Sequence, residues 1–254
     1  MIITNEKERE DLIEAGEHLA SVMDALRAKV RAGVTAEELD DLAEQMIRDA
    51  GDSPSFLGYK PEGAARSYPA TLCVSINDEI VHGIPNESEK ILKEGDIVGL
   101  DFGLIHNGVI VDAAVTVPVG TINEESKKLL RATEQALVAG IAAAIPGNHI
   151  GDISYAIQEE IKNAGFRVVK SLGGHGVGKK VHEEPFIPNF GHAGEGPELR
   201  EGMVLALEPI SSAGKAAVTL APDGYTFRTR DGSRSAHFEH TILIEKDGAR
   251  IITE

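Results

Sequence analysis

The sequence repeats part of itself, and this repeat restricts the possible folds more than any other feature. Leu92–Asp101 aligns without a gap with Leu199–Glu208, and each stretch runs from a Gly-containing turn into an apolar run that ends in one carboxylate. Gly33–Gly51 and Gly147–Gly165 are equally long, and both close on Ile, a basic residue, Asp or Asn, Ala and Gly. Such matches indicate two related structural units. The repeat therefore predicts a pseudo-twofold fold whose two terminal carboxylates occupy equivalent positions.

Local patterns predict four helices and a series of strands. Asn5 with Glu8, and Thr35 with Glu38, fit capping boxes at helix starts, and His106-Asn-Gly108 supplies a hairpin turn. The predicted helices run from about Asn5 to Gly33, Thr35 to Ala50, Glu124 to Ala144 and Ile150 to Ala164. The predicted strands lie at 72–76, 97–102 and 109–117, around 168, 204 and 218, and at 237–244. Each half (about 1–120 and 121–254) thus contains two helices followed by antiparallel strands, an α+β arrangement.

Composition limits the classes of protein to which the chain can belong. Its net charge of −16 argues against a nucleic-acid surface, because no basic excess is available to neutralise phosphates. The sequence has no apolar run long enough for a membrane span, and its charged N-terminus does not resemble a signal peptide. A single cysteine, Cys73, excludes an internal disulfide. We therefore expect a cytoplasmic protein without a membrane segment.

Four carboxylates stand where apolar strands would bury them. Asp101 and Asp112 follow the apolar runs of two adjacent strands, Glu208 ends the run related to the first by the repeat, and Glu239 interrupts a fourth strand. Burying a charge is costly unless a partner compensates it. Each acid alone could be a solvated strand end, but four together predict a shared cause. Two divalent cations would balance four carboxylates, and this ligand set suits manganese, iron, cobalt or zinc.

The spacing of the acids and of one histidine is consistent with such a metal pair. Asp101 and Asp112 lie on two arms of one predicted hairpin, so both can reach one face, and the ions of two-metal sites lie about 3.5–4 Å apart. His175 lies within Gly173–Gly178, where glycines let the backbone approach a crowded site. The same stretch resembles a phosphate-binding loop. We reject that interpretation because Lys180 stands where Ser or Thr is required and no helix is predicted to follow.

The sequence indicates a catalytic role for some of the other histidines more strongly than for the rest. His82 and His182 lie in turn-like segments beside Gly or Pro, and the competing interpretation of each is a hydrogen-bonded loop histidine. His237 and His240 flank Glu239 and can lie near the site, but neighbours in a strand point to opposite faces. The remaining histidines have weaker cases: His18, His106, His149 and His192.

The predicted ligands, in this order and setting, resemble the metal site of the pita-bread metallopeptidases. That superfamily has a pseudo-twofold fold around a central curved sheet. Within it, five segments are similar to the type I methionine aminopeptidases: Cys73–Pro85, Gly174–Gly178, Glu183–Pro185, Leu207–Ile210 and Ser235–Ile242. The resemblance covers nearly the whole chain. It implies a single catalytic domain over 1–254 that removes the initiator methionine from new proteins and prefers a small second residue.

The resemblance also implies a role for each site residue. The ligands of two divalent ions (Co, Mn, Fe or Zn) would be Asp101, Asp112, His175, Glu208 and Glu239. Of these, Asp112 and Glu239 would bridge both ions, and a hydroxide between the ions would attack the scissile carbonyl. Glu208 would also shuttle the proton. His182 would stabilise the oxyanion, and His82 would hold the substrate backbone.

The methionine pocket of this family is lined by a Cys, aromatic residues and a His. Tyr68 and Cys73 match that pocket, and Tyr225 stands where the family often has Trp. Val181 replaces the usual Phe, and Ala65 lies in a loop where an aromatic residue is common. The resemblance therefore implies methionine binding by these side chains together with His82 and His182, in a pocket that is looser beside Val181.

Further partners follow from the resemblance. Asn77 and Ser235 match positions that form a monovalent cation site, for Na or K, in some relatives. The substrates would be the N-termini of nascent polypeptides, which emerge at the ribosome. No specific nucleic acid and no membrane partner is expected, and the expected state is a monomer.

Two alternatives share the predicted fold. An X-Pro aminopeptidase or prolidase keeps the five ligands but usually has an extra N-terminal domain and different residues around His82. A non-enzymatic pita-bread protein that binds peptides loses metal ligands. Here all five ligand positions and both catalytic histidines are present, which favours an enzyme over a binding protein.

Overall fold

Four helices are present in the computed structural model, which describes residues 1–254, and they confirm the four predicted from sequence. Their bounds are α1 Glu6–Lys29, α2 Ala36–Asp49, α3 Glu124–Ala143 and α4 Ile150–Asn163. The capping box of Thr35 and Glu38 is complete. The one predicted at Asn5 is half formed, because the Glu8 carboxylate accepts the amide of Thr4 and not that of Asn5. None of the helices combines the length and apolar composition that crossing a membrane requires.

Fifteen strands accompany the helices. Their bounds are β1 Ser53–Pro54, β2 Cys73–Ile76, β3 Glu79–Val81, β4 Ile97–His106, β5 Val109–Pro118, β6 Arg167–Val168, β7 Gly173–Gly176, β8 Glu183–Pro188, β9 Val204–Leu207, β10 Ile210–Ser212, β11 Val218–Leu220, β12 Phe227–Thr229, β13 Ser235–His237, β14 Glu239–Glu245 and β15 Gly248–Ile251. Nine form an antiparallel sheet in the order β1-β4-β5-β14-β9-β7-β8, with β2 on β4 and β15 on β14. The others form two three-stranded sheets, β13-β10-β6 and β11-β12-β3. The predicted α+β class is confirmed.

The internal repeat is visible in the order of the central sheet. β5 and β14 lie side by side in its middle, β4 flanks β5, and β9 flanks β14. β4 and β9 are the two strands that the repeated ten-residue segment predicts to be equivalent. Each follows its own pair of helices along the chain, α1 and α2 before β4, and α3 and α4 before β9.

Alternation along β4 assigns one face of the sheet to the core and the other to the carboxylates. Leu100, Phe102 and Leu104 are buried in a hydrophobic core with the apolar side chains of α1 and α2. A second core contains apolar side chains of α3 and α4 with those of β9 and β14. Since side chains alternate along a strand, Asp101 points to the face opposite the first core. Asp112 lies on the same face, because it pairs with Gly103.

The prediction of a single strand at 237–244 is wrong in one important respect: the structure has two strands there, and they meet at Phe238. β13 pairs with β10, whereas β14 pairs with β5 and β9, so the chain passes from one sheet to another at this residue. Seven strands were not predicted, because they are too short or too rich in Gly and Pro to show alternation: β1, β3, β7, β8, β10, β12 and β15. β8 lies where a phosphate-binding loop would open a helix, which agrees with the rejection of that motif.

Candidate metal centre and substrate pocket

A row of four side chains crosses the central sheet on the face opposite the first core. Cys73 of β2 pairs with Asp101 of β4, Asp101 pairs with Ala114 of β5, and Ala114 pairs with Glu239 of β14. Residues directly opposite each other in neighbouring strands project to the same side. All four are buried. Two of the predicted ligands are therefore separated only by the small side chain of Ala114.

Asp112 lies beside this row on β5. It pairs with Gly103, and a Cβ at that position would lie 3.4 Å from Asp112 Oδ1 and 2.5 Å from Ser55 Oγ. The absence of a side chain at Gly103 thus leaves room for the Ser55 hydroxyl and the Val111 carbonyl beside the Asp112 carboxylate. The Asp112 amide donates to Thr241 Oγ1 at 2.9 Å, and the Thr241 hydroxyl donates to the Asp112 carbonyl at 2.8 Å. These two bonds tie β5 to β14 at the level of the site.

Glu208 and His175 complete the set of predicted ligands from the second half of the chain. His175 pairs with Ala206 of β9, and Glu208 lies two residues beyond Ala206, so both reach the same face. His175 Nε2 is 3.8 Å from Glu208 Oε1. The Nδ1 of His175 lies 2.9 Å from the Gly176 carbonyl, which holds the proton on Nδ1 and leaves the Nε2 lone pair facing the carboxylates. This is the usual arrangement of a metal-binding histidine.

The assembled residues fit a pair of divalent metal ions. Ligand atoms of Asp112, His175 and Glu239 lie within 4.8 Å of one another. Asp112 Oδ1 and Glu239 Oε1 are buried without a hydrogen-bond partner, which is rare for buried oxygens. No Lys or Arg lines the cavity above them to balance the negative charge. Buried carboxylates with one imidazole and no cationic side chain match the donor set of a transition-metal site.

Burial and mutual repulsion raise the pKa values of all four carboxyls. Burial raises the pKa of Glu208 to about 8, and burial together with Glu208 raises the pKa of Asp112 to about 8. The pKa values of Asp101 and Glu239 lie well above their usual range for the same reasons, burial first and neighbouring carboxylates second. A cation bound among these groups would oppose the shift, because it favours the ionised form.

Three further histidines surround the carboxylates. Burial lowers the pKa of His82 to about 4 and that of His237 to about 3, so both are neutral at neutral pH. The pKa of His182, at the cavity mouth, is also lowered by the surrounding protein. His82 has a left-handed φ of 59°, a strained conformation for a residue with a side chain, and its ring packs edge-on against Phe227. The hydroxyl of Tyr59 lies 2.9 Å from His182 Nδ1.

His237 lies closer to the site than its sequence position predicted. Its Nε2 is 3.4 Å from Glu208 Oε2 and 3.7 Å from Glu239 Oε2, and it has no hydrogen-bond partner. The break at Phe238 explains the difference, because His237 and Glu239 belong to two different strands. His240, in contrast, points away from the site and contacts Thr253 through Nδ1.

A cavity of about 220 Å³ opens above the carboxylates. It is lined by every residue predicted for catalysis, metal binding or substrate binding: Tyr68, Cys73, His82, Asp101, Asp112, His175, His182, Glu208, Tyr225 and Glu239. The rings of Tyr68 and Tyr225 pack edge to face, with centroids 5.2 Å apart. Burial raises the pKa of the Cys73 thiol well above its usual value, so this thiol is neutral and is a packing surface, not a nucleophile.

The cavity also contains aromatic residues that the sequence did not indicate. Phe56, Tyr59 and Phe227 line it, together with Val181. Ala65 does not: its neighbour Ala64 faces the cavity instead, and Tyr59 supplies an aromatic ring from the same loop. The signal for these residues was weak, because loop aromatics without periodicity carry no information about their direction.

The positions predicted for a monovalent cation lie together at the start of β13. The Ser235 hydroxyl is 3.2 Å from the Glu79 carbonyl and 3.4 Å from the Asn77 carbonyl. The Ser235 amide donates to the Asn77 carbonyl at 2.9 Å. The contact joins the loop after β2 to the second half of the chain. The cation itself stays a prediction.

Comparison with known sequences relates the whole chain to one family. The sequence profile of metallopeptidase family M24 matches residues 10–246. A methionine aminopeptidase from Aquifex aeolicus is 45% identical over 254 residues, covering 98% of this chain and 97% of the relative. A methionine aminopeptidase from Clostridium perfringens is 44% identical over 253 residues, covering 100% and 98%.

Solved structures give the same relationship at the level of the fold. The crystal structure of a methionine aminopeptidase from Thermotoga maritima superimposes with a TM-score of 0.95 at 42% identity, covering 100% of both chains. A prolidase from Pyrococcus furiosus has a TM-score of 0.74 at 23% identity, covering 100% of this chain and 65% of the prolidase. The likeness to the prolidase therefore concerns the fold alone, and it confirms the pita-bread arrangement.

Proposed function

The chain belongs to metallopeptidase family M24, and we propose that it removes the N-terminal methionine from nascent polypeptides. Relatives that carry the name methionine aminopeptidase are 44–45% identical over nearly the full length of both partners. The X-Pro peptidases share the fold at 21–23% identity. The observation that carries the proposal is the placement of five metal-ligand candidates at the floor of a cavity with tyrosine walls and a thiol.

The two halves of the single catalytic domain, about 1–120 and 121–254, each contribute to the proposed metal centre. The first half would supply Asp101 and Asp112, and the second half would supply His175, Glu208 and Glu239. Asp112 and Glu239, whose buried oxygens lack hydrogen-bond partners, would be among the ligands that hold the ions. Bound divalent ions would polarise the scissile carbonyl and lower the pKa of the attacking water. Cobalt, manganese, iron and zinc all suit this ligand set.

Glu208 is the residue that we assign to proton transfer. Its carboxylate lies within 3.4–3.8 Å of the Nε2 atoms of His237 and His175. Both imidazoles are neutral, because burial lowers each pKa to about 3. Burial raises the pKa of Glu208 and a bound cation would oppose that rise, so the carboxylate would be free to accept a proton and to return it. Glu208 would take the proton from the attacking water and deliver it to the leaving amine.

His182 and His82 both line the cavity and would bind the substrate's polar groups. If the Tyr59 hydroxyl donates to His182 Nδ1, the imidazole proton is held on Nε2. A neutral His182 with a proton on Nε2 can donate a hydrogen bond to the substrate carbonyl as negative charge develops there. His82, held rigidly by its backbone and by Phe227, would hold the substrate backbone near the new amine.

The walls of the cavity fit the methionine side chain. Tyr68, Tyr225 and Cys73 form an aromatic and sulfur-containing surface, and thioethers make favourable contacts with ring edges. The volume of about 220 Å³ is smaller than the 300–1,000 Å³ of usual ligand pockets, so a single side chain fills it. A site this crowded beside His82 favours a small second residue. These substrates arise in the cytoplasm at the ribosome, where we propose that the chain acts as a monomer.

Release of free methionine from Met-Gly-Met-Met tests the proposal. The purified chain is first treated with a chelator and then supplied with cobalt, manganese or iron, and an X-Pro peptide serves as the matched control substrate. We expect metal-dependent release from the methionine peptide and little cleavage of the X-Pro peptide. Preferred cleavage of the X-Pro peptide would identify a prolidase-like enzyme instead. No cleavage of either peptide by a folded, metal-loaded chain would contradict enzymatic function.

A further inference from the structure

A second group of histidines and carboxylates lies at the far end of the β4–β5 hairpin. His106 is the last residue of β4, His18 lies on α1, and Asp52 follows α2. His106 lies five positions along β4 from Asp101, a distance of roughly 16 Å along the strand. None of the three residues lines the substrate cavity. The group is therefore separate from the metal centre described above.

Asp52 lies between the two imidazoles, and its two carboxylate oxygens contact them at equal distances. Its Oδ1 is 2.8 Å from His106 Nδ1, and its Oδ2 is 2.8 Å from His18 Nδ1. The two rings are perpendicular, with centroids 5.2 Å apart, so both Nδ1 atoms converge on one carboxylate. One ligand atom from each residue lies within 4.8 Å of the other two. The Asp52 side chain is 2% exposed, whereas that of His18 is 29% exposed and leaves a path from solvent.

We propose that this group, which we call the hairpin-tip cluster (His18, Asp52 and His106), binds one zinc ion or a similar divalent transition metal. Zinc lies about 2.0–2.2 Å from its nitrogen and oxygen ligands, which in a tetrahedral site places neighbouring ligand atoms about 3.3–3.6 Å apart. The two separations of 2.8 Å between Asp52 and the histidines would therefore have to lengthen by about half an ångström or slightly more when the ion enters. Two imidazoles and one carboxylate favour zinc, nickel or cobalt over magnesium or calcium.

When the ion binds, the proton on each imidazole can move to the other ring nitrogen. An ion bound to Nδ1 requires the ring proton to move to Nε2, so the exchange needs no net loss of a proton from a neutral ring. His106 Nε2 lies 3.3 Å from Glu14 Oε2, which would accept that proton, and 3.0 Å from Asn107 Nδ2, whose amide group would have to turn away when Nε2 becomes a donor. A carboxylate in this position orients a metal-binding histidine and increases its basicity. On His18 the Nε2 proton would face solvent.

The surrounding charge also favours a cation. Asp11 and Glu14 lie beside His106, and their ligand atoms are within 4.8 Å of a His106 ring nitrogen. Asp11 is paired with Lys7, so one carboxylate of this neighbourhood is already neutralised. Glu14 and Asp52 stay without a lysine or arginine partner. A divalent ion would neutralise them and join α1, the segment after α2 and the hairpin tip through three metal bonds.

Zinc stoichiometry of the full chain tests this proposal. The wild type and the double variant H18Q/H106Q are dialysed against micromolar zinc, and bound zinc is measured by mass spectrometry. Gln keeps an N–H that can donate to Asp52, so a role limited to hydrogen bonding survives the change. We expect one fewer zinc ion per chain in the double variant and a smaller zinc-induced rise in Tm. The control variant, H192Q, alters an exposed loop histidine and should retain the wild-type stoichiometry.

Methionine release by the cobalt-loaded chain distinguishes this site from the catalytic one. The double variant should keep its turnover, because the hairpin-tip cluster does not touch the substrate cavity. Equal zinc stoichiometry and equal Tm shifts in wild type and double variant would overturn the proposal and leave His18, Asp52 and His106 as a hydrogen-bonded brace. If the double variant fails to fold, H18Q alone, at a half-buried position on α1, provides the same test.

Discussion

The two halves of the sheet supply their ligands from different kinds of backbone. In the first half, Asp101 and Asp112 come from one hairpin whose register is unbroken from Ile97 to His106. In the second half, the candidate ligands come from three separate segments, β7, the end of β9 and the start of β14. The register shifts between Gly174 and Gly176, and the chain changes sheet at Phe238.

This difference shows where the catalytic groups can gather. In a regular hairpin only every second side chain of a strand faces the site. No other residue of the β4–β5 hairpin is assigned a catalytic role beside Asp101 and Asp112. The irregular half brings His175, His182 and His237 around Glu208, because strand breaks let adjacent segments face the same point. In the proposed enzyme, the first half would therefore support the metal pair and supply His82, and the second half would supply Glu208 and His182 for the proton and the oxyanion.

The comparison is tested most strongly by matched changes at the two equivalent carboxylates. Glu208→Gln should lower kcat by about 10²–10⁴-fold even at saturating metal, because it removes a proton carrier as well as a ligand. Asp101→Asn removes a ligand only, so raising the metal concentration should restore part of its activity. Methionine release and bound metal are measured together over a metal titration. Near-normal turnover of Glu208→Gln would remove the assigned proton role.

A smaller effect is expected at the first-half histidine that lines the cavity. His82→Ala should lower kcat by about 10²-fold, since one polarising group is lost from the transition state. Its pKa of about 4 makes the ring a neutral hydrogen-bonding group at neutral pH. Bound metal should stay nearly unchanged, as measured by mass spectrometry of the dialysed variant. Loss of metal would instead make His82 a ligand and would give the first half a nitrogen donor of its own.

The contact between Tyr59 and His182 joins the two halves across the cavity mouth. Tyr59→Phe removes the hydroxyl that holds the His182 proton on Nε2, and we expect kcat to fall about tenfold with KM unchanged. Tyr68→Phe is the matched control, because the Tyr68 hydroxyl donates to backbone carbonyls and not to a histidine. Equal loss in both variants would show that the hydroxyl of Tyr59 only supports the pocket wall.

The smallest expected effect is on stability as a function of pH. Asp112 and Glu208, one from each half, have folded pKa values of about 8, far above their unfolded values. A raised carboxyl pKa means that stability is lost as pH rises toward the folded value. The buried histidines have lowered pKa values, so their contribution to stability decreases as pH falls below about 6.5 and is constant above it. In chelator, Tm should therefore fall from pH 6.5 to 8.

Divalent metal should abolish that fall, because it favours the ionised carboxylates. Asp112→Asn and Glu208→Gln should each remove a similar part of the slope, since the two carboxyls are equivalent in this respect. Thermal unfolding in chelator and in manganese, at three pH values, measures both statements. A slope that is unaffected by either variant would show that the two carboxyls are already ionised in the folded chain without metal.

Much of the fold followed from patterns that lie close together in the sequence. The helices were predicted from caps and spacing, and the β4–β5 hairpin from Asn107-Gly108, whose positive φ values form the turn. α1 still ends four residues before Gly33, because Val30 already has extended backbone angles. β7 and β8 were missed because glycine and proline carry no alternation. Their pairing depends on contacts between distant segments.

The candidate site was predictable to the extent that buried charge is anomalous in any strand. For that reason the sequence alone indicates four site residues, and the structure brings them to one face of the sheet: Asp101, Asp112, Glu208 and Glu239. His237 was undervalued, because a continuous strand was assumed where Phe238 separates two. Tyr59 gave no signal at all. Its role depends on where a loop of irregular backbone places one hydroxyl, and no local pattern specifies that position.

The size of the side chain at position 114 would decide whether the proposed ions fit between their ligands. Ala114 stands between Asp101 and Glu239 in the row across the sheet, and its single methyl group leaves the space that the proposed ions would occupy. A β-branched residue there suits a strand and would preserve the register, yet its added carbons would fill that space. One substitution could thus convert the enzyme into a folded chain that still encloses a methionine side chain but cannot cut behind it. On this scaffold, a protein that only binds chain ends would differ from a peptidase by the two methyl groups that separate valine from alanine.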